Sequence, residues 1–458
     1  VPVSYNGETT KAYRAVYIKV LDGKTIEPKV AHNPYAEIDW NTINQYKSNF
    51  HTHTTQSNDP VSHFTTTYVV DKYHGAGYKI LSLTDHDYCA YPWTLFPQFK
   101  TGIAARNPET LGMLAVPGNE LSKDNTNSWS ERTGGQFNHH NDFFTGRQGQ
   151  EFASLQESYA YTYALGGMQI INHPGQYWDL SKTYSETDKN GPAWHAKNFK
   201  TYPSLIGLEV YNQGNRRPND RILWDQILDR TMPSKTVFGY SCDDAHNDDQ
   251  LFKNYNFMLM EDLTTEELKD AMRKGESYFC YEPLGSGKGK APRISNIVVD
   301  EDNKTITIEA NGDVCWIYST DKTSTSNSSR RSTVVGHGNT FSYDGYQGSY
   351  VRAFITNQYG ETCTQPISFV DVNYVGINDA EEDGPLTMVL YPNPTTDQIS
   401  VFMNVSEQEE NIYVFDLNGK NVLNKTIDGA ITVLPTESLT TGMYVVRCGN
   451  RMGKFIKK

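Results

Sequence analysis

The stretch NFHTHTTQSND, residues 49–59, places two histidines one residue apart at the end of a predicted β-strand. Alternate residues of a strand point to the same side, so His51 and His53 are expected to converge on one point. Two converging neutral imidazoles suit a metal ion. An isolated H-x-H pair is more often an ordinary pair of hydrogen-bonded histidines. The prediction of a metal site therefore depends on the sequence around it.

From about residue 40 to residue 280, short apolar runs alternate with helical segments. The runs are KILSLTD, MLAVPGNE, MQIINHPG, LIGLEVYN and KTVFGYS. Near-continuous apolar runs of this length are typical of strands buried on both faces of a parallel sheet. Helices are predicted at 153–167, 219–230 and 264–275, the last with a Thr264–Glu267 capping box and a stop at Gly275. The repeated β–α units predict a barrel-like α/β domain.

Ligand-type side chains follow these runs at the positions where strands are predicted to end. They are Asp85, His86 and Asp87 in LTDHD, Glu120 in VPGNE, His139 or His140 in FNHHND, His173 in INHPG, and Asp244 and His246 in CDDAH. Each motif alone also has an ordinary explanation as a cap, a turn or a solvated strand end. Their coincidence in one region predicts a metal centre at the C-terminal ends of the strands. Imidazoles combined with carboxylates suit Zn²⁺, Mn²⁺ or Fe²⁺, and this many positions can hold more than one ion.

In this order, FHTHTTQS, LTDHD, PGNE, INHPG and DDAH resemble the motifs of the polymerase and histidinol phosphatase (PHP) domain. The resemblance spans about residues 40–280 and is greatest to the stand-alone metal-dependent phosphoesterases of that family. It implies a distorted (β/α)7 barrel with two or three divalent ions at the C-terminal ends of the strands. Asn49 departs from the aspartate that the family usually has before its first motif.

The resemblance also implies which residues bind each ion. His51, His53, Glu120 and Asp244 would bind one ion, and Glu120, His139 and His173 would bind a second. His86 and His246 would bind a third ion, with Asp59 as a further ligand, or would act as acid, base or substrate-orienting groups beside two ions. His139 is favoured over His140 because the usual family pattern is H-x-N, which Asn141 completes.

The leading functional hypothesis is a phosphoesterase, in which a hydroxide held between two ions near Glu120 attacks phosphorus in line. His246 or His86 would protonate the leaving alkoxide, and Asp85 is included with them in the candidate catalytic set. The expected substrate is a small phosphate ester.

A phosphoesterase also needs cations to hold its substrate. Arg216 and Arg217 come just after the predicted strand that ends at Asn212, and all three are candidate substrate-binding residues. Guanidinium groups suit bidentate contacts to phosphate. The alternative for the arginines is a solvated loop.

Two other functions stay open. The same metal centre could hydrolyse carboxylic or carbamic esters or amides, because a fold alone does not fix the substrate. The protein could also be a non-catalytic surface binding protein, with two β-modules that contact a partner. The nearly complete set of ligand-type residues argues against this third hypothesis.

After about residue 281 the sequence pattern predicts only β-strands. Domains are predicted at 1–280, 281–377 and 378–458: the metal-dependent hydrolase, a β-sandwich accessory domain and an Ig-like C-terminal domain, with a hairpin turn at Asn418–Gly419. YPNP, VFDLNGKNV, LTTGMYVV and the Lys-rich end resemble the sorting domain of the type nine (Por) bacterial secretion system. This resemblance implies secretion or display at the cell surface, contact with the secretion machinery, and a signal peptide removed before Val1.

Composition restricts the class further. The formal charge is −13 and no cluster of lysine and arginine stands out, so nucleic-acid binding is not expected. No apolar run is long enough for a membrane span. The six cysteines are scattered without a C-x-x-C pair, which argues against a cysteine-rich zinc module or a disulfide scaffold.

Overall fold

The structure is a computed structural model of the 458-residue chain. It describes residues 2–5, 8–11, 28–57, 59–91, 93, 106–122, 138–147, 152, 154–319, 332–371, 388–403, 411–427, 429–449 and 451–458. The acidic junction predicted at 378–385 lies outside these residues, as does the predicted boundary between residues 377 and 378.

The helices of the described residues lie in the first part of the chain. They are α1 (Thr66–Gly75), α2 (Pro108–Leu111), α3 (Leu155–Ala164), α4 (Pro192–Thr201), α5 (Asn219–Thr231) and α6 (Thr265–Lys274). The three predicted helices correspond to α3, α5 and α6. Thr264 caps α6 by accepting a hydrogen bond from the backbone N–H of Glu267 at 3.3 Å. Gly275 ends α6 at φ +74°, a left-handed conformation that glycine adopts without a Cβ penalty. Among the described residues, no helix has the combination of length and hydrophobicity that a membrane crossing requires.

The strands up to residue 281 are short, and those from β5 to β13 are mostly buried. They are β1 (Pro2–Tyr5), β2 (Glu8–Lys11), β3 (Pro28–His32), β4 (Asn44–Asn49), β5 (Ile80–Ser82), β6 (Leu114–Val116), β7 (Gly118–Leu121), β8 (His140–Phe143), β9 (Met168–Ile171), β10 (Leu205–Asn212), β11 (Phe238–Cys242), β12 (Asn254–Met260) and β13 (Ser277–Tyr281). The predicted apolar runs form β5, β6 with β7, β9, β10 and β11.

These strands form two sheets that meet at their ends. One sheet has the order β11-β10-β9-β8-β7, and β6, β5, β4, β12 and β13 belong to a larger one. Pairing is parallel from β4 to β6 and from β9 to β11, but antiparallel where β7, β8 and β9 meet and at β12. Isolated bridges join Thr52 to Ala245 and His86 to Glu120, which connects the two sheets at the predicted site.

An apolar core fills the space between the two sheets. Phe50, the residue after β4, contacts Phe143 and Tyr240 of the other sheet edge to face, at centroid distances of 5.9 Å and 6.0 Å. Such buried aromatic pairs fix the relative position of the strands they come from. The described sheets do not close on themselves. The mixed, strand-rich α/β class is therefore confirmed, while the (β/α)7 barrel and the two sandwich domains remain predictions.

The strands after residue 281 are β14 (Ile294–Asp300), β15 (Thr305–Ala310), β16 (Asp313–Ser319), β17 (Ser332–His337), β18 (Thr340–Ser342), β19 (Tyr350–Asn357), β20 (Gly360–Thr364) and β21 (Ile367–Asp371). β20 pairs with β13, so the larger sheet continues through β20, β19, β16 and β17. The predicted boundary at residue 281 thus coincides with the end of a strand whose neighbour lies beyond it. The division into domains remains a prediction.

The C-terminal strands are β22 (Met388–Tyr391), β23 (Gln398–Met403), β24 (Asn411–Phe415), β25 (Asn421–Thr426), β26 (Ile431–Pro435), β27 (Gly442–Cys448) and β28 (Arg451–Lys457). They form a three-stranded sheet, β22-β23-β26, and a four-stranded sheet, β25-β24-β27-β28, within the described residues. Val401, Val414, Leu434 and Val446 are buried in the core that both sheets share. β24 and β25 pair antiparallel across the predicted turn, with Gly419 at φ +79°.

Candidate metal centre

The predicted ligand residues lie together at one end of the two sheets. His51 and His53 follow β4, His86 follows β5, His173 follows β9, and Asp244 and His246 follow β11, while Glu120 is in β7, His139 precedes β8 and Asp59 is on the segment before α1. Side chains on the loops after parallel strands share one edge of a sheet, which is why residues so distant in sequence meet here.

Glu120 is at the centre of this cluster and is 1% exposed. Its Oε1 lies 3.0 Å from His139 Nδ1, 3.3 Å from His173 Nε2 and 3.5 Å from His51 Nε2. Its Oε2 lies 3.1 Å from His86 Nδ1 and 3.3 Å from His53 Nε2. One carboxylate thus touches five imidazoles through its two oxygens, which is the geometry of a bridging group.

Asp244 forms a second carboxylate contact to the same histidines. Its Oδ1 lies 3.2 Å from His53 Nε2, 3.3 Å from His51 Nε2 and 3.6 Å from His246 Nδ1. Its backbone has φ +46°, a left-handed conformation that is costly for a residue other than glycine. The N–H of Asp244 donates to His51 O at 2.8 Å, which holds the turn in place.

Asp59 completes a more exposed part of the cluster. Its Oδ2 lies 2.8 Å from His246 Nε2 and 3.4 Å from His86 Nε2. One nitrogen or oxygen from each of His53, Asp59, His86 and His246 lies within 4.8 Å of all the others. The same holds for His51 with His53 and Glu120, and for Glu120 with His86 and His139.

Hydrogen bonds behind the cluster decide which imidazole nitrogens face it. His51 Nδ1 donates to Glu209 at 2.7 Å. Ser57 Oγ donates to Asp85 at 2.9 Å, so it accepts from His53 Nδ1 at 2.9 Å. In the neutral imidazoles both Nε2 lone pairs then point inward, 3.1 Å from each other and beside two carboxylates. Lone pairs and anions in contact repel each other unless a cation lies between them, so the donor set fits a divalent metal ion.

The electrostatics of the cluster agree with this. Burial alone would lower the pKa of His53, but hydrogen bonds and charges from Asp244 and Glu120 raise it to about 10. Burial opposes ionisation of Glu120 as well, yet the charges of His139, His51 and His86 hold its pKa well below the usual range. Carboxylates that favour positive charge on their neighbours favour any cation, and metal binding would release protons from the imidazoles.

The adjacent histidines of FNHHND have different surroundings. His139 contacts Glu120 and lines the cavity described below. His140 is fully buried, with Nδ1 3.0 Å from Asn138 O and Nε2 2.8 Å from Ser158 Oγ of α3. The structure therefore brings His139, and not His140, to the cluster.

Two other predicted residues support the site from behind. Asp85 accepts hydrogen bonds from Thr54 N at 2.6 Å, Thr54 Oγ1 at 2.8 Å and Ser57 Oγ at 2.9 Å, and through Ser57 it orients His53. Asn212 was predicted to contact substrate, but its amide donates to Asp244 Oδ2 at 3.2 Å and is 2% exposed. Both side chains are surrounded by protein and hydrogen-bond to other residues of the site, which they hold in position.

A cavity of about 770 Å³ opens beside the cluster. Its lining includes Asp59, His86, Glu120, His139, His173, Asp244 and His246. Arg216, Arg217 and Lys182 line the same cavity. Arg216 contacts Gln213 Oε1 and Arg217 donates to Gln176 Oε1 at 3.0 Å, and neither has a carboxylate partner among the described ion pairs. Two guanidinium groups held by neutral amides leave their charge available to an anion in the cavity.

Glu209 is one of the described residues that contact the site and that the sequence did not reveal; Asn172, whose Nδ2 donates to Glu120 Oε1 at 2.9 Å, is another. Glu209 lies inside β10, where every residue from Leu205 to Asn212 is buried, and it is 0% exposed. Its carboxylate contacts His51, the backbone of His173 and Asn212. The only signal in the sequence is a charged residue in the middle of the apolar run LIGLEVYN, where an ionised group is costly without partners.

Solved structures that share features with the chain include PHP-like metal-dependent phosphoesterases. A two-domain protein of Bacteroides vulgatus, containing a predicted PHP-like metal-dependent phosphoesterase, is 16% identical with a TM-score of 0.39, over 88% of this chain and 98% of that chain. A Bifidobacterium adolescentis protein assigned as a metal-dependent phosphoesterase is 16% identical with a TM-score of 0.29, over 44% of this chain and 87% of that chain. A lesion-specific endonuclease of Pyrococcus furiosus is 16% identical with a TM-score of 0.31, over 50% of this chain and 56% of that chain. With TM-scores below 0.5, these similarities are too distant to assign a function.

The C-terminal region matches a known family by its sequence. A comparison with curated protein sequences finds no match to the chain. The profile of the secretion system C-terminal sorting domain matches residues 389–458. This range covers the strands from β22 to β28 and confirms the predicted resemblance. The chain therefore ends in a secretion system C-terminal sorting domain, which implies secretion or display at the cell surface.

Proposed function

We propose that the protein is an exported metal-dependent phosphoesterase. The observation that carries the proposal is the convergence of imidazole nitrogens and carboxylate oxygens on a cavity that also holds Arg216 and Arg217. The first set suits divalent cations, and the second suits an anionic substrate. A phosphate ester is the substrate class that uses both.

The residues that would hold the ions follow from their contacts. His51, His53, Glu120 and Asp244 would hold one ion, Glu120, His139 and His173 a second, and His86, His246 and Asp59 a third. Two or three ions of zinc, manganese or iron are proposed. Such ions, when bound, would neutralise charge on phosphoryl oxygens and make water more acidic.

The side chains of the cavity would bind and orient the ester. Arg216 and Arg217 would donate hydrogen bonds to the phosphoryl oxygens that face away from the cluster. A water molecule supplies the attacking oxygen, and the P–O bond to the alcohol breaks. If only two ions bind, His246 or His86, 22% and 11% exposed at the cavity, would instead donate a proton to the leaving oxygen. Asp85 would act only indirectly, by holding Ser57 and therefore His53.

Hydrolysis of p-nitrophenyl phosphate by protein reloaded with Mn²⁺ or Zn²⁺ tests the proposal, with His51→Ala as the control. We expect metal-dependent turnover that is lost in the variant. p-Nitrophenyl acetate in a parallel assay tests the carboxylic ester alternative. Metal-dependent turnover of the acetate alone would replace the phosphoesterase with a carboxylic ester hydrolase. No turnover of either substrate would favour a binding function.

A further inference from the structure

Glu209 occupies a position where a carboxylate is costly. Every residue of β10 is buried, and burying an ionised carboxylate is strongly unfavourable unless partners compensate its charge. The adjacent residues of β10, Leu208 and Val210, are apolar and fully buried. The packing of the strand therefore gives no reason for a charged side chain at position 209. The charge is therefore kept for what it contacts.

The contacts of Glu209 lead to two different histidines of the cluster. Oε1 accepts a hydrogen bond from His51 Nδ1 at 2.7 Å. Oε2 accepts from the backbone N–H of His173 at 2.8 Å and from Asn212 Nδ2 at 2.8 Å. One carboxylate thus touches the histidine after β4 and the histidine after β9, which belong to different sheets.

Both contacts determine how a histidine presents its Nε2 atom. The bond to His51 Nδ1 fixes the tautomer whose Nε2 lone pair faces Glu120 and Asp244. The bond to the His173 backbone holds that residue at φ +28°, a strained conformation that points its Nε2 to within 3.3 Å of Glu120. A neutral amide in place of the carboxylate would present an N–H to at least one of these donors.

The strand itself is distorted where Glu209 lies. The pairing of β10 with β11 shifts register between Glu209 and Tyr211. Residues three apart in a regular strand point to opposite faces, yet Glu209 and Asn212 hydrogen-bond to each other. The bulge therefore brings both polar side chains to the same side of the strand, as bulges beside active sites do.

We propose that Glu209 is a positioning residue of the metal centre, which orients His51 and His173 together so that their Nε2 atoms face one set of ions. This inference rests on the proposed function, because it assigns Glu209 a role at the same site. Carboxylates behind metal-binding histidines raise the affinity of the site about 10- to 100-fold. Ser57, which is neutral, makes the corresponding contacts for two other histidines, accepting from His53 Nδ1 at 2.9 Å and from the backbone N–H of His86 at 2.9 Å.

The test is a calorimetric titration of metal-free full-length protein with Zn²⁺ and with Mn²⁺. Glu209→Gln is compared with wild type and with Asp225→Asn, the same change at a buried carboxylate of α5. We expect Glu209→Gln to bind metal about 10- to 100-fold more weakly, and Asp225→Asn to keep wild-type affinity while losing stability. Wild-type affinity in Glu209→Gln, or an equal loss in Asp225→Asn, would overturn the inference.

Two further measurements keep the outcomes distinct. In Zn²⁺-loaded protein with ¹⁵N-labelled histidine, the Nδ1 proton of His51 should exchange slowly with solvent in wild type and faster in Glu209→Gln. If Glu209→Gln does not fold, Glu209→Asp is titrated instead, and wild-type affinity there overturns the inference. A wild type that binds metal but hydrolyses no ester removes the proposed reaction and leaves the role of Glu209 in metal binding standing, whereas a wild type that binds no metal removes both.

Discussion

Arg352 of β19 donates two hydrogen bonds to the carboxylate of Asp225 in α5, from Nε at 3.0 Å and from Nη2 at 2.8 Å. The two side chains are 3% and 2% exposed. Tyr350 OH donates to the same carboxylate at 2.9 Å, and the Arg352 guanidinium lies 4.9 Å from the ring centroid of Trp224. A buried ion pair therefore joins the region after residue 281 to a helix of the region that carries the candidate site.

Removing Arg352 should destabilise the protein strongly. Arg352→Ala leaves Asp225 buried without its cation, and we expect the free energy of unfolding to fall by about 3–5 kcal/mol. Urea unfolding followed by tryptophan fluorescence measures this. Lys274→Ala is the matched control, because Lys274 is 43% exposed and its ion pairs should contribute less than about 1 kcal/mol. Equal effects of the two substitutions would contradict the prediction.

Metal removal should lower stability as well as activity. Without a cation, Glu120 and Asp244 remain packed against imidazole nitrogens, and binding to the folded state alone stabilises it. At free ion concentrations about 100 times Kd, we expect about 2.7 kcal/mol per site. Thermal unfolding with and without a chelator, followed by re-addition of Zn²⁺ or Mn²⁺, measures the shift. The shift should shrink in His51→Ala, and an unchanged shift in that variant would place the bound ion elsewhere.

The two arginines of the cavity should matter for phosphate and not for carboxylic esters. Replacing Arg216 and Arg217 by alanine removes charge-assisted hydrogen bonds worth about 1.5–3 kcal/mol each. We expect kcat/KM for p-nitrophenyl phosphate to fall at least about 100-fold in the double variant, while metal affinity stays unchanged. Steady-state kinetics of the double variant, with calorimetric metal titration beside them, checks both parts. An unchanged kcat/KM for p-nitrophenyl phosphate would show that the two arginines belong to a solvated loop that does not contact the substrate.

The adjacent histidines His139 and His140 should separate metal binding from folding. His139→Ala removes a contact to Glu120 and should weaken metal binding and turnover with little effect on stability. His140→Ala removes the buried hydrogen bonds that the imidazole makes with Asn138 O and Ser158 Oγ. We therefore expect the free energy of unfolding to fall by about 1–3 kcal/mol, while metal affinity is preserved. Metal titration and urea unfolding of both variants measure this pair. The reversed pattern would identify His140 as the ligand.

The sequence predicted which residues lie together better than it predicted the pairing of the sheets around them. Residues such as His86 and His173 follow apolar runs, and a ligand-type residue after a buried strand has a visible pattern. The antiparallel pairing of β7 with β8 has no such pattern, because strand direction depends on contacts between distant segments. Glu209 was missed for a related reason: its partners, His51 and His173, are 158 and 36 residues away.

Asn212 and Asp85 show the limit of position along a strand. Asp85 follows a predicted strand and Asn212 ends one, which are positions where residues often face a substrate. In the structure their side chains instead hydrogen-bond to Ser57 and Asp244, respectively. Sequence position identifies the end of the strand, but the bulge after Glu209 and the turn at Ser57 decide which way each side chain points. Those details depend on packing between the two sheets.

The continuation of the larger sheet from β13 to β20 has a consequence for how this protein can be divided. A fragment that ended at residue 281 would leave the hydrogen-bonding edge of β13 open, and open edges of apolar strands invite aggregation. The described strands of residues 388–457 pair only with one another, apart from this sheet. Recombination between genes that replaced the sorting domain would therefore break no strand pairing of the described residues, but it would expose Leu155 and Tyr159 of α3, which share a buried core with Val389 and Phe402. A division at residue 281 would in addition cut through a sheet.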